Sequence, residues 1–328
     1  MHRYIVIGPP GTGKTTFLKN KVDELINNKK CEPNEIAYLS FTVKAAEEIR
    51  DRVNKKNLKE VELKKLYPYF CTLHSLAYKR LRLQPGEIMD EIDYEDLSHS
   101  TGRKFVNKMK KGNGVDISMP TAQSQYQDTI NLAYAKYPND KDRIEKIFRE
   151  VKLFDYGAKS TILQMDKDLT NYKRDRHKLE YVDYFNSFLE CKNPPPLKYL
   201  FIDEAQDLSA HQWMVVDMIQ EISKPLETYV AGDDDQAIFR WAGADIEHFI
   251  NMANDKNNTV IPLTQSYRVP KLVHSLATKM AQSISNRIDK QYNPRDDVGE
   301  RQVLAFRPLN KTLATGEWLI LCRTHEIV

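Results

Sequence analysis

Hydrophobic residues in this chain fall into short unbroken runs, separated by longer stretches in which they recur every three or four positions. The runs are Tyr4-Ile5-Val6-Ile7, Ile36-Ala37-Tyr38-Leu39-Ser40, Tyr69-Phe70-Cys71-Thr72, Lys198-Tyr199-Leu200-Phe201-Ile202, Thr228-Tyr229-Val230-Ala231, Thr259-Val260-Ile261-Pro262-Leu263 and Trp318-Leu319-Ile320-Leu321-Cys322. Runs of this length, without polar alternation, predict strands buried on both faces. Phe17, Leu18, Val22, Leu25 and Ile26 stand at helical spacing and predict a helix from Thr16 to about Asn28, which Pro33 follows. Further helices are predicted up to Val53, from near His74, and from about Pro270 to Ser285. Strand and helix in alternation predict an α/β fold on a parallel sheet, with ligands at the C-terminal ends of the strands.

The pattern changes between Pro85 and Tyr184. Strand signal fades there, and short polar helical segments are punctuated by Gly112-Asn113-Gly114 and Pro120. Residues 86–184 therefore read as a helical insertion, and Asn193-Pro194-Pro195-Pro196 marks the return to the sheet.

A length of 328 residues allows two or three domains, and 41% hydrophobic with 29% charged residues fits a soluble globular chain. The net charge of +3 excludes little, but its distribution is uneven. Lys and Arg against Asp and Glu number 17 and 15 in residues 1–100, 19 and 13 in 101–200, and 13 and 18 in 201–328. The excess includes Lys108-Met109-Lys110-Lys111 and Lys173-Arg174-Asp175-Arg176-His177-Lys178. Such runs suit either a phosphate-backbone surface or a solvated helical face. Cys31, Cys71, Cys191 and Cys322 form no C-x-x-C pair, which points to a reducing compartment without zinc. No run approaches the roughly 20 apolar residues of a membrane span. A cytoplasmic protein without a membrane partner is expected.

The chemistry starts directly after the first run. Gly8-Pro9-Pro10-Gly11-Thr12-Gly13-Lys14-Thr15 has the G-x-x-x-x-G-K-[ST] form and lies between a strand and a helix, the setting a phosphate-binding loop requires. Glycines let consecutive N–H groups close on phosphate oxygens, Lys14 reaches the β and γ phosphates, and the Thr15 hydroxyl holds Mg²⁺. The bland alternative is a glycine turn that only joins strand to helix. Asp203-Glu204 follows the fourth run and supplies the complementary half of a nucleotide hydrolysis site. Asp203 is the expected Mg²⁺ ligand, and Glu204 orients or deprotonates the attacking water.

These segments resemble a superfamily 1 helicase of the UvrD/Rep/PcrA type. The resemblance is carried by Gly8–Thr15, Phe41–Glu47, Thr72-Leu73-His74-Ser75, Ile202–Asp207, Gly232–Asp245 and Leu263-Thr264-Gln265-Ser266-Tyr267-Arg268. It is most specific at Gly232-Asp233-Asp234-Asp235-Gln236-Ala237-Ile238-Phe239-Arg240-Trp241-Ala242-Gly243-Ala244, which parallels "GDxDQSIYxWRGA". It implies a RecA-like phosphate-loop NTPase domain from residues 1–85 and 185–260, carrying the insertion, and the start of a second RecA-like domain over 261–328. It further implies ATP and Mg²⁺ as cofactors, and single-stranded DNA or a single-strand/duplex junction as partner, with 3′→5′ movement along the strand. Gln236 would sense the γ-phosphate, Arg268 would act as an arginine finger, and Tyr267 would stack on adenine. Phe41, Phe239 and Trp241 would stack on bases, while Thr42, Thr72 and His74 would contact the DNA backbone.

The chain departs from the pattern in several places. Seven residues before Gly8 leave no room for the family's upstream glutamine element, and Thr16 stands where the family often has a base-stacking arginine. Weak discrimination among nucleotides is expected in consequence. Ala242 replaces the arginine of "WRGA". The family's later motifs do not follow Arg268, and Leu321-Cys322-Arg323-Thr324, resembling "LYRT", comes just before Val328. A missing C-terminal region or a partner chain would supply the rest of the second domain, and the chain by itself is expected to unwind DNA poorly or not at all. Two other readings stay open: a nucleic-acid-binding module switched by ATP, and an unrelated phosphate-loop enzyme such as a small-molecule kinase.

Overall fold

The computed structural model describes residues 2–53, 58–107, 122–150 and 156–300. In chain order the elements are β1 (His2–Ile7), α1 (Lys14–Asn27), β2 (Ile36–Ser40), α2 (Val43–Arg52), α3 (Glu60–Leu66), β3 (Phe70–Thr72) and α4 (Leu73–Leu81). Helices α5 (Glu91–Thr101), α6 (Ala122–Lys136), α7 (Arg143–Glu150), α8 (Tyr156–Arg176) and α9 (Asp183–Cys191) follow. Then come β4 (Tyr199–Ile202), α10 (Ala210–Ser223), β5 (Glu227–Gly232), α11 (Ile246–Asn254), β6 (Thr259–Pro262) and α12 (Lys271–Ala281). The predicted strand over 318–322 lies outside the described residues.

The strands form one sheet in the order β3-β2-β4-β5-β1-β6, with every pairing parallel. Its alternate residues feed two cores, as the period of two along a strand requires. Ile5, Ile7, Ala37, Leu39, Leu200, Ile202 and Val230 face α4, α9, α10 and α11. Val6, Ile36, Tyr38, Phe70, Phe201, Tyr229 and Ala231 face α1, α2 and α3. Burial on both sides explains why the strand runs are continuously apolar. Among the described strands only β6 is largely exposed, and it tolerates Pro262 because it is an edge strand.

Two expected boundaries shift. The division at residue 261 falls inside β6, which pairs with β1 from Tyr4↔Thr259 to Ile7↔Pro262 and therefore belongs to the first sheet. The insertion has its own core of Met89, Tyr94, Leu97, Phe105, Ile130, Ile144, Ile147, Ile162 and Leu169. Helix α9 already belongs to the sheet domain, because Tyr184, Phe185 and Phe188 pack beneath the sheet.

The basic run at 173–178 is largely paired with acids. Lys173 lies between Glu180 and Asp183, Arg176 pairs with Asp96, and Lys178 pairs with Asp93. These cations neutralise neighbouring acids rather than forming an open phosphate-binding stripe. The run at 108–111 lies outside the described residues.

Candidate nucleotide and nucleic-acid site

All six strands deliver a recognisable segment at the same edge of the sheet, which is where open parallel sheets hold ligands. After β1, the Gly8 amide donates to the Gly232 carbonyl at 3.2 Å, fixing the start of the loop against the end of β5. The Thr12 hydroxyl donates to the Pro9 carbonyl at 2.8 Å and closes the loop on itself. Gly13, with φ 84°, precedes α1 and offers no side-chain cap, so the first amides of the helix face the loop. Lys14 is buried and donates to the Gly8 carbonyl at 2.8 Å. Even one methyl group on Gly8 would lie 2.4 Å from Lys14 Cγ. Thr16 points outward from the same turn of α1.

Across the loop, Asp203 at the end of β4 is 3% exposed. Its Oδ2 accepts from the Thr15 hydroxyl at 2.8 Å and from the Tyr38 hydroxyl at 2.7 Å, while its Oδ1 accepts from the Glu204 amide at 3.0 Å. Burial pushes the Asp203 carboxyl above its ordinary range, and the bonds from Tyr38 and Thr15 oppose that push. Thr15 and Asp203 together present two hard oxygen ligands at the mouth of the loop. That donor set fits Mg²⁺, which takes few protein ligands and completes its shell with phosphate and water. Among the described residues no cluster of three or more His, Cys, Asp or Glu could hold a metal by itself.

Glu204 adopts a left-handed backbone, φ 53° and ψ 46°, which turns its side chain away from the strand direction. Gln206, 2% exposed, donates to Glu204 Oε2 at 2.9 Å and accepts from the Asp233 amide at 3.1 Å. Asp233, fully buried at the end of β5, accepts in turn from the Gln236 side chain. Glu204 and Gln236 are thus tied through one glutamine and one aspartate. Neither Tyr38 nor Gln206 belongs to a motif that marks it for this role. A tyrosine inside an otherwise apolar strand was the available signal, since its buried hydroxyl must find a partner.

The segment after β6 seats itself on the phosphate loop. Ser266, fully buried, donates from its hydroxyl to the Pro10 carbonyl at 2.7 Å, and the Tyr267 amide donates to the Gly11 carbonyl at 2.9 Å. Gly11 has φ 74°, and a methyl group there would stand 2.4 Å from Arg268 Cβ. Arg268 is therefore held beside the loop by backbone contact, with its side chain exposed. The Tyr267 ring is 74% exposed next to it.

A second region opens between the sheet domain and the insertion, as a cavity of about 660 Å³. Phe41, His74, Tyr181, Phe239 and Ala242 are among its lining. Phe41 and Phe239 come within 5.3 Å between ring centroids, although almost 200 positions separate them in sequence. His74 stacks on Tyr181 at 3.4 Å and leans on Phe185 at 4.0 Å, and burial pushes its pKa well below the ordinary value. The Thr42 and Thr72 hydroxyls are N-caps of α2 and α4, accepting from the Ala45 and Ser75 amides. The Trp241 side chain lies outside the described residues. Thus Phe41, His74 and Phe239 meet at one wall, whereas Thr42 and Thr72 serve their own helices.

A parallel sheet with a phosphate loop after its first strand, an acidic pair after β4 and a helical insertion defines a RecA-like phosphate-loop domain. A family model described as the UvrD/REP helicase N-terminal domain matches residues 2–257, and the chain belongs to that family. It is 24% identical over 312 residues to the ATP-dependent DNA helicase PcrA of Staphylococcus aureus strain Mu50, covering 90% of this chain and 40% of the relative. A PcrA of Staphylococcus epidermidis strain ATCC 12228 is likewise 24% identical over 300 residues, covering 87% of this chain and 39% of the relative. The chain therefore spans about two fifths of the length of these relatives. Among the described residues no helix is long and apolar enough to cross a membrane.

Proposed function

We propose that the chain is the ATP-binding part of a DNA translocase and helicase that couples ATP hydrolysis to 3′→5′ movement on single-stranded DNA. The observation that carries this reading is the meeting of Thr15, Asp203 and the Ser266–Arg268 segment around one loop, beside a second cavity walled by Phe41 and Phe239. Family membership and the likeness to the helicases named above support it, and the 3′→5′ polarity rests on that resemblance alone.

In this reading Lys14 exchanges the Gly8 carbonyl for the β and γ phosphates, and the amides of the loop and of the first turn of α1 enclose the phosphate chain. Thr15 and Asp203 would hold Mg²⁺, which would supply neutralisation of the phosphate charge. Glu204 takes a proton from the attacking water, Gln236 registers the γ-phosphate, and Arg268 meets the negative charge that develops there. Tyr267 offers a face to adenine. Phe41 and Phe239, with Trp241, grip bases of the single strand, and His74 borders the same groove. Closure on ATP and release after hydrolysis would move the strand past this wall.

Glu204→Gln tests the chemistry. Nucleotide affinity is expected to survive, and hydrolysis stimulated by single-stranded DNA to fall by about 10²-fold or more, the scale of a lost general base. Unchanged hydrolysis would remove the role given to Glu204.

A further inference from the structure

Two cations in the stretch after α12, Arg287 and Lys290, meet the acids that follow β5. Lys290, with only 7% of its side chain exposed, reaches Asp233 Oδ1 at 3.0 Å, Asp235 Oδ2 at 3.0 Å and the Asp234 carboxylate. Arg287 grips Asp235 with two bonds, at 2.9 and 2.8 Å, and the Ile288 amide donates to Asp234 Oδ2 at 2.7 Å. Burial would pull the Lys290 ammonium down, but Asp233 and Asp234 outweigh it and keep it charged.

The three acids follow β5, more than fifty positions before their partners, and Asp233 leads onward. Its other carboxylate oxygen accepts from Gln236, and its amide donates to Gln206, which holds Glu204. A few residues beyond Lys290 the same stretch is pinned to the other side of the site. The Asn293 amide donates to the Thr264 carbonyl at 2.7 Å, and the Ser266 amide donates to the Asn293 carbonyl at 2.8 Å. One short segment therefore touches both the Asp233–Gln236 turn and the Gln265–Arg268 turn.

We propose that Lys290 is a positioning residue for hydrolysis: by anchoring Asp233 it aligns Gln236 and Glu204 only when the segment that also holds Arg268 is seated. A buried ammonium among three carboxylates is a costly way merely to attach a loop, because apolar packing would serve as well. Its use here ties attachment to the orientation of one carboxylate. This proposal rests on the nucleotide site proposed above.

The test compares Lys290→Met, Lys290→Arg and Arg287→Met with the unchanged chain. Single-turnover ATP hydrolysis, the Kd of a non-hydrolysable ATP analogue and the melting temperature are measured for each. Lys290→Met is expected to slow hydrolysis by about tenfold or more, the scale of a misaligned reacting group, with analogue Kd within about twofold. Lys290→Arg should recover most of the rate. Arg287→Met, which loses contacts to Asp235 but none to Asp233, should slow it by less than about threefold. The Arg variant remains informative if the Met variant is too unstable to fold. Equal rates in Lys290→Met and the unchanged chain, or equal losses in the Lys290→Met and Arg287→Met variants, would overturn the proposal. So would an Arg variant that folds normally yet hydrolyses as slowly as the Met variant. An unchanged chain that binds no ATP analogue would instead overturn the nucleotide site itself, and this proposal with it.

Discussion

The Ser266 hydroxyl donates to the Pro10 carbonyl across 2.7 Å, joining two residues 256 positions apart. This bond places the turn that carries Arg268 directly on the phosphate loop, so that the two sides of the proposed nucleotide site share a wall at Gly11. Gly11→Ala should break that wall. The residue needs φ 74°, which costs a side-chain-bearing residue about 1–2 kcal/mol, and its methyl group would collide with Arg268 Cβ. Loss of hydrolysis together with a lower melting temperature is expected. Gly86→Ala, where nothing lies within 4 Å, is the control and should change neither.

The aromatic wall makes a separable prediction. Phe41→Ala or Phe239→Ala should weaken single-stranded DNA binding by about 1–3 kcal/mol, the range for one stacking side chain. Affinity for nucleotide without DNA should stay unchanged, because both rings line the cavity beside the insertion. Fluorescence anisotropy with a labelled oligonucleotide, beside analogue binding, reads both. Unaltered DNA affinity in both variants would move the strand to another surface.

Nucleobase selection should be weak. Tyr267 is 74% exposed, its backbone amide is pinned to Gly11, and Thr16 offers no planar group to sandwich a base. We expect ATP to be preferred over GTP by less than about tenfold in kcat/KM, equivalent to about 1.4 kcal/mol. A preference of several hundredfold would show that other groups read the base.

Much of this arrangement was legible in the sequence, and the exceptions share a cause. The phosphate loop and the acidic pair at Asp203 are local patterns: a buried run followed at once by a turn or by charged residues. Tyr38 was read only as a buried strand residue. Its role exists because β4 lies beside β2 in the register Tyr38↔Phe201, which brings Asp203 under the tyrosine hydroxyl. Lys290 sits in a stretch without periodicity, and its partners lie more than fifty positions earlier. Thr42 and Thr72, picked out by resemblance, cap helices with their hydroxyls, a use that residue type alone suggests equally well. The basic run at 173–178 showed its charge in sequence but not the acids of α5 and α9 that neutralise it.

Two buried groups near the cavity set opposing pH dependences. Burial, with Glu204 nearby, pushes Asp207 from 3.8 up to about 7, so between those values the folded chain holds a proton that the unfolded chain has lost. Stability from this group falls as pH rises through that window. Burial pushes His211 from 6.5 down to about 4, so its contribution falls as pH drops from 6.5 toward 4. Asp207→Asn removes the first dependence alone. Its melting temperature should exceed that of the unchanged chain at pH 8, with the gap closing near pH 4. A gap independent of pH would show that Asp207 is ionised throughout.

Coupling of the proposed nucleotide site to the proposed single-strand groove is tested most directly by the steady-state ATP hydrolysis rate of the unchanged chain, titrated with single-stranded DNA in the presence of Mg²⁺. The rate should rise with DNA and saturate, with no rise when Mg²⁺ is chelated. Hydrolysis indifferent to DNA at every concentration would contradict the coupling and favour an unrelated phosphate-loop enzyme.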